Sequence, residues 1–263
     1  MRACSARIAG VGFWSDGLPD WPAARDFAAG GALSDDAARK PSPRLLPPNE
    51  RRRAPESVAV ALQVALAACE AAGRDPKALP SVFASGHGDF AITDYMCETL
   101  ASEPRAISPT RFHNSVHNAA AGYWTIGTGC MMTTTAISAG RATFAEGLLE
   151  ALVQLDDGAD AVLLVAYDTT AVGPLAAMSG SRGLLGGALV LASNDDRGDT
   201  GPRLRATLVD ATAPAGAGPL ASLRRDNAMA PMLPLFDALA ARDHLVLLDA
   251  GPGRALRVEI DHA

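Results

Sequence analysis

An α/β fold around a central sheet is what this sequence predicts, and three observations predict it. Short apolar runs bounded by glycine and proline alternate with amphipathic stretches of helical length. One run, ADAVLLVAYD at 159–168, is apolar at nearly every position, the pattern of a strand covered on both faces in a parallel sheet. No block repeats at a fixed period, which sets aside solenoids and propellers. With 263 residues the chain can bury a substantial core, and it reads as a single domain spanning 1–263.

The elements follow in order. Residues 5–14 (SARIAGVGFW) predict a first strand ending in glycines, and 22–29 a short helix after Trp21. Residues 30–55 are polar and proline-rich, which predicts a long ordered surface loop. Ser57 is placed to cap a helix running to about Ala72, with Val58, Leu62, Ala65, Leu66 and Cys69 at helical spacing and Gly73 as its stop. SVFAS at 81–85 is a short strand between Pro80 and Gly86, followed by the tight polar turn Gly86-His87-Gly88-Asp89 and a helix over about 92–101. Then comes a segment of four pieces over 107–158: a polar HNSVHN run, a small-residue helix start, a strand-like TTAISA, and a long amphipathic helix. After the 159–168 strand, GALVLAS (187–193), LRATLVDA (204–211), HLVLLDA (244–250) and ALRVEI (255–260) predict further strands, with a proline-opened helix over 231–242.

Composition excludes some function classes. A net charge of -6 argues against nonspecific nucleic-acid binding, which needs phosphate-neutralising cations. No apolar segment is long enough to span a membrane. Cys4, Cys69, Cys97 and Cys130 are irregularly spaced, with no C-x-x-C, so a disulfide frame is not expected and a reducing cytoplasm is. The basic trio Arg51-Arg52-Arg53 reads as a solvated loop or as a contact for an acidic partner.

The candidate chemistry is mostly negative. Gly10-Val11-Gly12 follows a strand, but Ser15 stands where a dinucleotide fingerprint needs its third glycine. His113 and His117 are spaced for one helix face, yet no carboxylate or cysteine lies nearby, and no metal or cofactor is expected. Ser181 in SGSRGLLGG lacks the first glycine of a hydrolase elbow. Cys130 offers the one alternative enzyme reading, a small cysteine acyltransferase or thioesterase using His113 or His117 as base. A cysteine at a strand-to-helix junction would be activated by the helix N-terminus, but the junction after TTAISA is Ala139-Gly140-Arg141-Ala142 and holds no nucleophile.

ARIAGVGFWSDG, HNAAAGYWTI and RGLLGGALVLAS resemble the first strand, the helix before the nucleophile, and a later strand of the β-ketoacyl synthases. LPPNERRRAPESV, FASGHGD, SPTRFHNSVHNAAAGYWTI and FAEGLLEAL together resemble the short ketosynthase chain-length-factor family associated with aryl polyene and xanthomonadin-type pigment synthesis. The resemblance implies a thiolase-like fold, truncated to the first thiolase half plus a short C-terminal remnant. It puts the family's nucleophilic cysteine at Gly140 or Arg141, so no residue is expected to be catalytic. The histidine motifs of the family's second half have no counterpart around His244 or His262. The implied function is that of a silent subunit in polyene or fatty-acid-like biosynthesis. Its partner would be a full-length β-ketoacyl synthase, with acyl carrier protein reached through the heterodimer. Phe112, His113, Asn114, His117, Asn118, Tyr123, Trp124, Met131 and Met132 are the expected interface and tunnel residues. Arg51, Arg52 and Arg53 are the expected carrier-protein contact.

Overall fold

The computed structural model describes residues 3–34, 36–194 and 201–262, so Asp35 of the polar loop lies outside the described residues. Its strands are β1 (Cys4–Ser15), β2 (Ser81–Ala84), β3 (Thr134–Ile137), β4 (Ala161–Asp168), β5 (Leu185–Ala192), β6 (Arg203–Val209), β7 (Leu245–Asp249) and β8 (Ala255–Asp261). They form one sheet in the order β3-β2-β4-β5-β1-β6-β8-β7. β2 runs parallel to β3 and β4, and every other pairing is antiparallel. All eight residues of β4 are buried, as its apolar run requires. The expectation of a parallel setting holds on one side only. No long crossover helix separates β4 from β5, so β5 returns directly as an antiparallel neighbour.

The longer helices are α1 (Trp21–Ala28), α2 (Glu56–Ala72), α3 (Phe90–Ser102), α4 (Ala119–Thr128), α5 (Thr143–Asp156) and α6 (Leu233–Ala241), and all but α3 cover the sheet. α2 and α4 pack on one face, where Phe83, Leu163, Val165, Tyr167 and Val190 meet Val60, Leu62, Val64 and Trp124. α1, α5 and α6 pack on the other, where Val82, Leu164, Leu189, Leu204 and Val258 meet Phe144, Leu148, Leu152 and Phe236. Residues alternate between these faces along each strand, as the two-residue period of a strand demands.

The glycines of β1 seat α2. A Cβ on Gly10 would lie 2.2 Å from the Ala68 carbonyl oxygen, and one on Gly12 2.1 Å from that of Val64. Gly10-Val11-Gly12 is therefore a close strand–helix approach, not a phosphate loop. An irregularity between Ile8 and Gly10 shifts the β1–β5 register at the same point. It swaps the faces of β1, so that Ile8 and Phe13 point to the α5 side and Trp14 to the α2 side.

Two local expectations change. α2 begins at Glu56 after Pro55, and Ser57 makes no cap; its hydroxyl donates to the Asp89 carboxylate at 2.7 Å instead. α3 begins at Phe90, earlier than its apolar pattern suggests, because the Asp89 side chain accepts from the Ile92 amide at 2.9 Å. Among the described residues no helix is long and apolar enough to cross a membrane.

Candidate functional site

The turn from β3 into α5 opens onto a cavity. Ala139 and Gly140 make the bend, and Gly140 has φ +56°, a left-handed conformation that favours glycine. Thr143, buried at the start of α5, stitches the turn: its hydroxyl donates to the Gly140 carbonyl at 2.7 Å and accepts from the Ala139 amide at 2.9 Å. Ser138 donates to the Gly86 carbonyl at 2.9 Å, tying the turn to the polar loop after β2. Gly140 and Arg141 face a cavity of about 540 Å³, across from Gly86, His87, Asn227 and Asp249.

The resemblance leaves Gly140 and Arg141 as alternatives for the position of the family's nucleophile. Gly140 sits at the bend of the strand–turn–helix connection. A Cβ built there meets nothing within 4 Å. Arg141 instead turns to Asp249 at the end of β7, with Nε 3.0 Å from Oδ2.

Under the cavity lies a polar floor. Asp168, at the end of β4, is fully buried. It accepts from the Ser85 hydroxyl at 2.8 Å and from the amides of Gly86 at 2.9 Å and His87 at 3.3 Å. Burial pushes its pKa up to about 6, against the pull of these donors and of nearby His117. His117 Nε2 donates to the Ser85 carbonyl at 2.8 Å, closing the same loop from the α4 side. His87 has its pKa lowered, first by burial and then by the neighbouring His117. The Asn227 amide donates to the carbonyls of Arg182 and Gly183 at 3.2 and 3.0 Å, fixing the opposite wall. Asp168, Asn227 and Asp249 escaped the sequence reading. Asp168 and Asp249 leave a signal there, a charge closing an otherwise apolar strand; Asn227 leaves none.

The expected interface residues do not form one cluster. Phe112, His113, Asn118 and Tyr123 border an apolar groove of about 500 Å³, completed by Leu45 and Ile126. His117 and Asn118 border a second hollow, of about 470 Å³, that reaches Thr134 and Ala136 on β3. These residues gather around the outward side of α4, where Phe112 is 60% and Ile126 80% exposed. Met131 and Met132 are exposed too, but they follow the far end of α4, roughly 15 Å along a helix of this length.

Trp124 departs from the expectation. It is fully buried against Phe83, ring centroids 6.5 Å apart, and belongs to the core rather than to a surface. Asn114 is also buried, its side-chain oxygen without a hydrogen-bond partner. Of the basic trio, Arg51 is tied to its own loop, with its guanidinium on the Leu46 carbonyl at 2.9 Å. Arg52 bonds the Asn49 side chain, and both Arg52 and Arg53 are exposed.

The geometry does not support the Cys130 enzyme reading. Cys130 is 3% exposed, its thiol on the Leu79 carbonyl at 3.5 Å and accepting from the Met132 amide at 3.4 Å. It follows α4, whereas His113 and His117 precede it, so the length of the helix separates thiol from imidazole. Among the described residues no group of three or more histidines, cysteines or carboxylates is placed to hold a metal.

The profile of the β-ketoacyl synthase N-terminal domain matches residues 23–192. The chain belongs to the β-ketoacyl synthase family. Solved structures share its fold across their whole length. A chain of the ketosynthase (ApeO) in complex with its chain length factor (ApeC) from Xenorhabdus doucetiae superposes with a TM-score of 0.76 at 19% identity, covering 97% of this chain and 99% of that one. A chain of the complex AntDE:AntF, a type II acyl-carrier protein with its ketosynthase bound to the hexaketide, gives 0.76 at 12% identity and full coverage of both. The ishigamide ketosynthase/chain length factor gives 0.75 at 14%, covering 98% and 99%. No curated protein matches the chain.

Proposed function

We propose that this chain is the non-catalytic chain-length-factor subunit of a heterodimer whose other subunit is a full-length β-ketoacyl synthase. The carrying observation is the elbow, which keeps its left-handed turn and its cavity while offering only Gly140 and Arg141. A ketosynthase reaction needs a thiolate at that point to accept the acyl group. The thiols of Cys69 and Cys130 are buried elsewhere, and burial raises that of Cys69 to about 12.

Two surface features support a permanent partner. β3 is an edge strand with no proline or charge to block pairing; its residues are Thr134, Thr135, Ala136 and Ile137. Beside it, Phe112, Val116 and Ile126 are each at least half exposed and close together around α4. An apolar, unprotected edge of this kind suits a large obligate interface. The groove they border would form one wall of the tunnel that holds the growing acyl chain. Acyl carrier protein, acidic by nature, would meet the complex near Arg52 and Arg53. The product class is polyene or fatty-acid-like, and the complex works in the cytoplasm.

Co-expression tests this reading. The chain should co-purify one-to-one with a cognate ketosynthase, and that pair should elongate carrier-bound acyl chains while the isolated chain does not. Phe112→Ala in the pair should change the length of the product. A chain that stays monomeric beside its ketosynthase, or a product unchanged by its removal, refutes the proposal.

A further inference from the structure

β7 and β8 form the terminal hairpin of the sheet, and two histidines stand at its open end. Leu245 pairs with Glu259, which places His244 opposite Ile260, and the Ile260 amide donates to the His244 carbonyl at 2.9 Å. His262 lies two residues beyond Ile260. Both residues lie just beyond the ends of β7 and β8, and their imidazoles stand next to each other. Their ring centroids are 5.7 Å apart, with planes inclined at 69°.

Each ring has one nitrogen already committed. His244 Nδ1 lies 3.1 Å from the Ile260 carbonyl oxygen, and His262 Nε2 lies 2.9 Å from the Asp243 carbonyl oxygen. A carbonyl only accepts, so each of these nitrogens carries the proton. Nε2 of His244 and Nδ1 of His262 are left as the lone-pair nitrogens. A ring N–H pinned to a backbone carbonyl, with the other nitrogen free, is the usual state of a metal-binding histidine. Two imidazoles that share one ion at about 2.1 Å hold their ring centres roughly 5–6 Å apart, which matches the spacing here.

We propose that His244 and His262 form an open two-imidazole site for a borderline divalent transition metal ion, Zn²⁺ or Cu²⁺. Imidazole nitrogen suits these ions, whereas Mg²⁺ and Ca²⁺ take oxygen. With two protein ligands, water completes the shell, so the site is exchangeable rather than a closed structural centre. Asp261 alternates to the opposite side of β8 and supplies no direct ligand. A bound ion would tie the ends of β7 and β8 together and so favour the folded hairpin. The site is independent of the pairing with a ketosynthase.

The test uses the full chain without an affinity tag, titrated with CuCl₂ and followed by electron paramagnetic resonance. One Cu²⁺ per chain with two equatorial nitrogens is expected. His244→Ala and His262→Ala should each weaken binding at least tenfold, and the double variant should lose the two-nitrogen signal. A signal that persists unchanged in the double variant overturns the proposal. Nitrogen NMR of the unsubstituted, metal-free chain provides a second check that needs no variant. A protonated Nδ1 on His244 and a protonated Nε2 on His262 support the site, and the opposite tautomers refute it.

Discussion

Arg141 and Asp249 stand 108 residues apart in the chain and 3.0 Å apart in space. The first belongs to the turn after β3, the second to the end of β7, and those strands are the two edges of the sheet. The sheet therefore coils around α5 until its last strand comes back over the elbow. This pair closes one side of the cavity at the turn. Arg141, which follows Gly140 in the turn, is engaged in a contact within its own chain.

That ion pair is open to water, with side chains 81% and 28% exposed, so its worth is small. Arg141→Ala and Asp249→Ala should each cost at most about 1 kcal/mol, and the effect should shrink in high salt. Urea unfolding at two ionic strengths checks this. A loss of several kcal/mol would mean that the contact holds the coiled sheet together.

Gly140 has a left-handed backbone and free space in the Cβ direction. Gly140→Cys should fold, at a cost of about 1 kcal/mol for the side chain in that conformation. Its thiol should react with iodoacetamide in the native state, as exposed Cys97 does, while buried Cys69 and Cys130 stay protected until unfolding. Mass spectrometry of the labelled peptides reads the outcome. A Gly140→Cys thiol as inert as Cys130 would show that the elbow does not open to the cavity.

Burial of Asp168 gives a pH signature with a definite sign. Its folded pKa, about 6, lies above the ordinary carboxylate value. The ionised group therefore weakens the fold at neutral pH, and that penalty disappears as the pH falls toward 4. The difference of about 2 pH units corresponds to roughly 3 kcal/mol. His87 works the other way, since its lowered pKa makes its protonation in acid unfavourable to the fold. Asp168→Asn cancels the first effect and keeps the second. The stability of the unsubstituted chain relative to Asp168→Asn should thus rise by up to roughly 3 kcal/mol from pH 7 to pH 4. A relative stability that stays flat or falls would contradict a buried, raised carboxyl.

The seat of α2 on β1 predicts intolerance at two glycines. An alanine Cβ at Gly10 or Gly12 would fall 2.2 or 2.1 Å from a helix carbonyl oxygen, and helix backbone cannot yield as a side-chain tip can. Either substitution should cost about 3 kcal/mol or more, or prevent folding. Thermal unfolding of soluble protein tests this. A melting temperature within a few degrees of the unsubstituted chain would show that the helix shifts easily.

How much of this was legible in the sequence varies from element to element. The strands were, because short apolar runs between glycine and proline admit few other readings. The turn itself was also legible, since Ala139-Gly140-Arg141-Ala142 between a strand pattern and a helix pattern is a local feature. Pairing direction was not: a fully buried strand looks alike beside parallel and antiparallel neighbours, and β4 has one of each. Trp124 was misplaced although a signal existed. It falls four residues after Ala120, on the buried side of α4, while Tyr123 is half-buried and Ile126 faces outward. Asp168 and Asp249 depend on contacts across more than 80 residues, which no local pattern carries.

The account stands most directly on whether this chain ever takes an acyl group. The isolated protein, incubated with a radiolabelled acyl thioester and then trapped in acid, should carry no covalent label, while its ketosynthase partner treated alike should. A stoichiometric acyl adduct on this chain, lost in Cys130→Ala, would contradict the silent-subunit reading.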